Sequence, residues 1–316
     1  MKQSSPALSR LLLPVKDFSL FSHTLPLLQL ISKSSNNQGL ESIDLLHVVG
    51  GSFLSAHLNN IDLRAGHMVS SETITRLRKE HVESIVKPLL DQVQTLLDKS
   101  SIDVTAGIKL AEGDPVKKIC EICDDEYYST LILARRKKEE EGFFSGSVVN
   151  GILGRFVKPS IYLVGENGFP ADCSPLARVL IGVDGSPNCM RAAAEAALLL
   201  GKNREEVEKV SLINVLDQAC FFKEEIDCQE ESERAYGYMD TVEKILTEQG
   251  VDADKIEATV LFGHPGEMLT RHAHDFDATL TYIGRRDRSK IAEVLLGSVC
   301  GDIIHQLRDR ALVLVS

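Results

Sequence analysis

Residues 178–201 read RVLIGVDGSPNCMRAAAEAALLLG, and this stretch sets the class of fold. Arg178 to Val183 is a short apolar run of the kind a buried parallel strand requires. Asp184 and Gly185 end the run, Ser186 is placed to cap a helix, and Pro187 suits the first helical position. Alanines and leucines follow at helical density, and Gly201 is the expected stop. Downstream, VLFGHPGEML at 260–269 is a second strand-to-helix turn, and GRRDRSKIAEVLLGS fills 284–298. Strand-like and helical runs alternate along both halves of the chain, which predicts parallel sheets with helices on both faces.

The chain repeats itself. EGDPVKKI at 112–119 matches FGHPGEML at 262–269, and the proline of each precedes Ala134 or Gly284 by the same nineteen residues. LILARR aligns with TYIGRR, SGSVVNGIL with LGSVCGDII, SIYLVG with ALVLVS, and LLLPVKDFS at 11–19 with VLIGVDGS. Two copies of one α/β unit follow, joined by the Gly-, Pro- and Asn-containing GENGFPADCSP at 165–175. The expected division is a first domain over 1–165, a linker over 166–176 and a second domain over 177–316. At 316 residues and 43% hydrophobic content, each domain can bury a core of ordinary size.

The three landmarks of the second copy, in this order, resemble the universal stress protein family. In its G-x-x-G-x9-G-[ST] signature the first glycine is Gly284, and Gly297-Ser298 closes the pattern after nine residues. Asp287 stands where the second glycine belongs. The resemblance implies an α/β fold of two tandem Rossmann-like domains of the adenine nucleotide alpha hydrolase-like kind. Each would be a five-stranded parallel sheet with helices on both faces.

The resemblance also implies an adenine nucleotide, ATP or AMP, as the ligand of the second copy. Gly182, Val183 and Asp184 end its first strand, with Asp184 toward the adenosine, and Val215 lines the adenine pocket. Gly284, Gly297 and Ser298 cradle the phosphates, with Ile283, Arg286, Asp287 and Val299 beside them. Glycine and an N-terminal Gly-Ser suit this chemistry, because they present backbone N–H groups and a hydroxyl to phosphate oxygens. Val215 and Ile283 would be apolar in any parallel sheet, and Ser298 could be an ordinary cap, so only the conjunction at this spacing points to a site.

Asp287 opposes that reading. Its carboxylate repels a triphosphate, which favours weaker ATP binding or a less charged nucleotide such as AMP. Arg285, Arg286, Arg288 and Lys290 are placed in sequence to offset the repulsion, and a divalent ion such as Mg2+ could bridge it. The first copy has lost more. Lys16 replaces Asp184, Ala134 and Lys137 replace the loop glycines, and eight residues rather than nine precede Gly146. The span from Val15 to Pro115 is also eighteen residues longer than its counterpart, the excess falling near 52–71, before a helix-like run over 72–97. The first copy is therefore expected to be structural or regulatory, without a nucleotide site.

A net charge of −11 with no basic face excludes nucleic acid as a general partner. The run Arg135-Arg136-Lys137-Lys138, followed at once by three glutamates, reads as a solvated, self-paired loop. Residues 223–234 read as an exposed, acid-rich approach to a helix. No apolar run approaches the ~20 residues of a membrane span, so a cytoplasmic protein is expected. Seven scattered cysteines make no disulfide framework, and Cys120-x-x-Cys123 reads as buried small side chains on one helix face, with no metal site implied. No Walker A motif, S-G-G-x-D-S loop, nucleophile elbow or catalytic set appears, so turnover is not expected. The competing readings are a ligand-free interaction module and, less favoured, an ATP-dependent hydrolase or transferase. Finally, Ser160 to Val164 and Ala311 to Val315 are apolar final strands without an edge-blunting proline or lysine. The resemblance implies that these strands pair, as between two single-unit relatives, so an intramolecular pseudo-dimer is expected, with a homodimer through other surfaces left open.

Overall fold

The computed structural model describes residues 6–33, 40–50, 71–102, 104, 106–137, 148–155, 157–218, 228–285 and 298–316. In the first half lie β1 (Arg10–Pro14), β2 (Ser42–Val49), β3 (Ala106–Glu112), β4 (Thr130–Ala134) and β5 (Ser160–Val164). The second holds β6 (Arg178–Gly182), β7 (Lys209–Asp217), β8 (Ile256–Gly263), β9 (Leu280–Gly284) and β10 (Ala311–Val315). All ten form one sheet in the order β3-β2-β1-β4-β5-β10-β9-β6-β7-β8. Each half contributes five parallel strands in the same order, and only the β5–β10 seam is antiparallel.

The helices follow the same repeat. In the first half they are α1 (Phe18–Ser22), α2 (Leu25–Lys33), α3 (Ser71–His81), α4 (Lys87–Asp98), α5 (Pro115–Asp125) and α6 (Val148–Leu153). A π-helical turn over Val82–Val86 joins α3 to α4, so the run expected over 72–97 is one helical stretch. The second half adds α7 (Pro187–Lys202), α8 (Cys228–Glu248), α9 (Pro265–Asp275) and α10 (Ser298–Gln306). The acid-rich 223–234 stretch is therefore partly helix, since α8 already begins at Cys228.

Alternation along the strands sends side chains to two helix layers. Leu11 and Leu13 join a core with Leu27, Leu90, Ala196 and Val242, whereas Leu12 joins Ile119, Ile152, Leu269 and Ile303 on the other face. Both cores run across the two halves without a break. Cys120 and Cys123 are buried in the second of these cores.

Local signals explain the elements. Ser186 caps α7 by accepting the Cys189 N–H, and Asp17 and Asp114 cap α1 and α5 likewise. The repeat extends to backbone conformation: Gly113 and Gly263 have φ of 125° and 145°, Tyr127 and Asp277 of 57° and 54°. Gly201 differs from its expected role. It lies inside α7, which ends at Lys202 with Asn203 as its C-cap, and a Cβ there would strike the backbone carbonyl of Gln249. It is a close-packing glycine between α7 and the end of α8, not a helix stop.

At the seam Leu312 faces Leu163, Val313 faces Tyr162 and Leu314 faces Ile161. Tyr162 and Val313 occupy equivalent positions in the two copies, so the pseudo-twofold axis passes between them. The expected pairing of the two final strands is what the structure contains. Gly165 closes this seam, because a Cβ there would come within 2.6 Å of the Asp309 carbonyl oxygen.

Two arginines cross the pseudo-axis, and here the structure corrects the sequence reading. Arg135, expected in a solvated loop, is 3% exposed and donates to the carbonyls of Ile304 and Leu307 at 2.9 and 2.8 Å. Those carbonyls belong to the end of α10 in the opposite half. Its repeat equivalent Arg285, expected to offset phosphate charge, is also buried and donates to the Val157 carbonyl of the first half and to the Ser316 hydroxyl, both at 2.6 Å. A guanidinium satisfies carbonyls from which water has been excluded, and those bonds offset the hydration each arginine gives up on burial.

A carboxylate is buried beside the same seam. Glu195 of α7 accepts hydrogen bonds from Ser160 at 2.6 Å and Tyr162 at 2.7 Å, both on β5, and the Tyr162 and Tyr282 hydroxyls lie 3.2 Å apart. Burial raises the Glu195 carboxyl above its ordinary value of 4.5, opposed by these two hydroxyl bonds.

Candidate functional site

In the second half the sheet order reverses between β6 and β9, and a doubly wound sheet opens its ligand crevice beyond the carboxyl ends of such strands. Gly182 ends β6, Gly284 ends β9, and Val215 sits near the end of β7. The fold thus brings these sequence-predicted residues, with Val183 and Asp184, to one end of the sheet.

Hydrogen bonds fix that end. The buried Val183 donates its N–H to the Ile213 carbonyl at 2.8 Å. Exposed Asp184 accepts the Ser186 N–H through Oδ1 at 3.0 Å, which holds the turn into α7. Gly185 has φ of 72°, and a Cβ there would lie 2.5 Å from the Tyr238 ring. This is a position only glycine fills without strain.

Two asparagines that the sequence reading passed over complete the framework. Asn214 is buried in β7 and donates to the Val183 carbonyl at 2.6 Å, tying β7 to the β6–α7 turn. Asn188, in the first turn of α7, donates to the Arg285 carbonyl and accepts from Arg191. A polar residue inside the apolar run LINVLD was the available signal for Asn214, since a buried amide requires a partner. Asn188 had no comparable signal, because polar residues are ordinary in a first helical turn.

Gly284 has a duty beyond any ligand. A Cβ there would enter the first turn of α7, 2.6 Å from the Asn188 carbonyl carbon and nearer still to the Cys189 nitrogen. Gly182 is under no such pressure, with its nearest contacts at 3.7 Å. Ile283 is buried and Val299 half-buried. Ser298 opens α10, which places its backbone, though not its side chain, among the described atoms. Arg286, Asp287 and Gly297 lie outside the described residues. The described part of the crevice supplies an exposed carboxylate, an apolar strand end and a close glycine-to-helix approach at one end of the sheet.

Residues 176–313 match the family model described as the Universal stress protein family. This half of the chain belongs to the universal stress protein family. Over 85 residues, 27% of this chain, it is 32% identical to a universal stress protein of Synechocystis sp.. That match spans 53% of the relative, so the chain covers about half the length of the curated protein it resembles. The fold of the whole chain is shared with a universal stress protein from Archaeoglobus fulgidus DSM 4304, at a TM-score of 0.65 and 19% identity, over 97% of this chain and 98% of that one. A protein of unknown function from Pseudomonas aeruginosa PAO1 aligns at a TM-score of 0.59 and 15% identity, over 98% and 92%. The tandem universal stress protein fold therefore extends over both halves. No helix among the described residues is long and apolar enough to cross a membrane.

Proposed function

We propose that this protein is a regulatory universal stress protein that binds an adenine nucleotide, ATP or AMP, in residues 177–316, without turning it over. The division is 1–165, linker 166–176 and 177–316, with the first unit lacking a nucleotide site. The observation that carries the reading is the convergence of Asp184, Val215 and Gly284 on the strand ends that flank the sheet's reversal, at the spacing that leads to Gly297-Ser298. Asp184 and Val215 would face the nucleoside. Gly284, Gly297 and Ser298 would hold the phosphates, with Ile283, Arg286 and Val299 alongside. Arg285 is committed to the seam, so charge compensation near Asp287 falls to Arg286, Arg288, Lys290 or Mg2+. Binding would change shape or partners rather than chemistry.

Isothermal titration calorimetry with ATP and AMP tests this. A Gly297→Val variant should lose binding while keeping its unfolding midpoint, because a branched side chain would occupy phosphate space. Unchanged affinity in the folded variant would remove this site and favour the ligand-free interaction module.

A further inference from the structure

We infer that the crevice of the first half is a binding site for a small phosphoryl anion, of the inorganic pyrophosphate class. It lies where β1 and β4 part, the point at which that half's strand order reverses.

The repeat makes the comparison direct. Val15 and Val183 each donate an N–H to the neighbouring strand, to Leu46 and Ile213, so the residues one further along, His47 and Asn214, are equivalent. Both make the same bond: His47 Nδ1 lies 2.8 Å from the Val15 carbonyl, as the Asn214 amide lies 2.6 Å from that of Val183. The backbone frame of the crevice is thus retained in the first half. What has changed is charge. Where the second half has Asp184 and Asn214, the first has Lys16 and His47.

Further basic groups close on the same point. Arg136 follows β4 and pairs with Asp17 at 3.4 Å, and His81 ends α3. Lys16 lies in the field of Arg136, and His47 in the fields of His81 and Lys16. Lys16 is lowered first by burial and then by Arg136, against the pull of Asp17. His47 is lowered first by burial, opposed by its bond to Val15, and then by His81 and Lys16. Lys16 is exposed while His47, His81 and Arg136 are half-exposed, so a ligand can reach them.

Two cations, Lys16 and Arg136, beside two imidazoles able to take up protons gain most from a compact counter-anion, even in a chain of net charge −11. Since a carbonyl only accepts, His47 Nδ1 carries a proton, and Nε2 is the atom that can take up another when an anion arrives. Arg136 adds a planar fork suited to phosphoryl oxygens, and Lys16 a compact point charge. An extended polyanion such as nucleic acid is disfavoured by the acidic remainder of the surface.

The test titrates the full chain with sodium pyrophosphate, and separately with ATP, in the Gly297→Val background. That background removes the site proposed for the second half, so the two proposals fail separately. Pyrophosphate should bind there as in the wild type, and its affinity should fall at least about tenfold in Lys16→Asp, where a like charge faces the anion. His47→Asn, which keeps the bond to Val15, should weaken binding to a smaller degree. The imidazole proton resonances of His47 and His81 should move toward the charged form on saturation. ATP binding there at no less than the pyrophosphate affinity, abolished by Lys16→Asp, would identify a nucleotide's phosphates as the source of the anion. No pyrophosphate binding at about 10 mM, some tenfold above a ~1 mM Kd, or equal affinity in Lys16→Asp with an unchanged unfolding midpoint, would overturn the proposal.

Discussion

Replacing Arg135 by methionine should destabilise the protein by about 2–4 kcal/mol, because the side chain holds the two halves together through a helix end. Its guanidinium makes two bonds across the seam, of 2.9 and 2.8 Å, to the Ile304 and Leu307 carbonyls. Hydrogen bonds from a charged donor contribute roughly 1.5–3 kcal/mol each, so about 3–6 kcal/mol is removed. Methionine recovers part of that, since a buried guanidinium no longer needs desolvating and the new side chain fills similar volume. The two carbonyls left behind at the end of α10 are in a layer that excludes water, which keeps the net effect unfavourable. The assay is urea unfolding followed by circular dichroism, with Arg76→Met as a control. Arg76 forms a solvent-exposed pair with Glu80 on α3 at 3.9 Å, an arrangement that contributes about 1 kcal/mol at most. A loss under about 0.5 kcal/mol for Arg135→Met, matching the control, would refute the claim that the seam depends on this contact.

Gly284→Ala should cost on the order of 1–3 kcal/mol by overpacking, because its Cβ would lie 2.6 Å from the Asn188 carbonyl carbon; it should weaken nucleotide binding in calorimetry by moving the start of α7, and an undisturbed unfolding midpoint would show that the approach is looser than described. Glu195→Gln should gain stability over the wild type as pH rises. The sign follows from the raised carboxyl: the folded state holds its proton above the ordinary 4.5, so wild-type stability is full below that value and declines as pH climbs through the folded pKa. The difference between variant and wild type should grow by up to about 1.4 kcal/mol per pH unit from the ordinary 4.5 up to the folded pKa and then level off. Parallel pH profiles in thermal unfolding would contradict this.

The sequence alone determined the repeat, the alternation of strand and helix and the pairing of the two final strands. Each is written in local patterns: apolar runs of strand length, a proline where α5, α7 and α9 begin, with a side-chain cap before the first two, and two edge strands without a blunting residue. That Asp184, Val215 and Gly284 come to one end of the sheet was legible for the same reason, since each is placed by where a strand ends. Asn188 and Asn214 were not, because an amide's role depends on which carbonyl comes within reach, and Gly201 looked like a stop only because its neighbour Gln249 is distant in the chain. Arg135, Arg285 and Glu195 were decided by tertiary structure. A basic run beside an acidic one looks solvated until a second domain brings helix-end carbonyls to it, and a glutamate on an alanine-rich helix looks exposed until a strand of the other copy supplies two hydroxyls. These groups are satisfied by partners 31 to 172 residues away. Local pattern fixes what a segment becomes, but the environment of a charge is set by whatever the folded chain places against it.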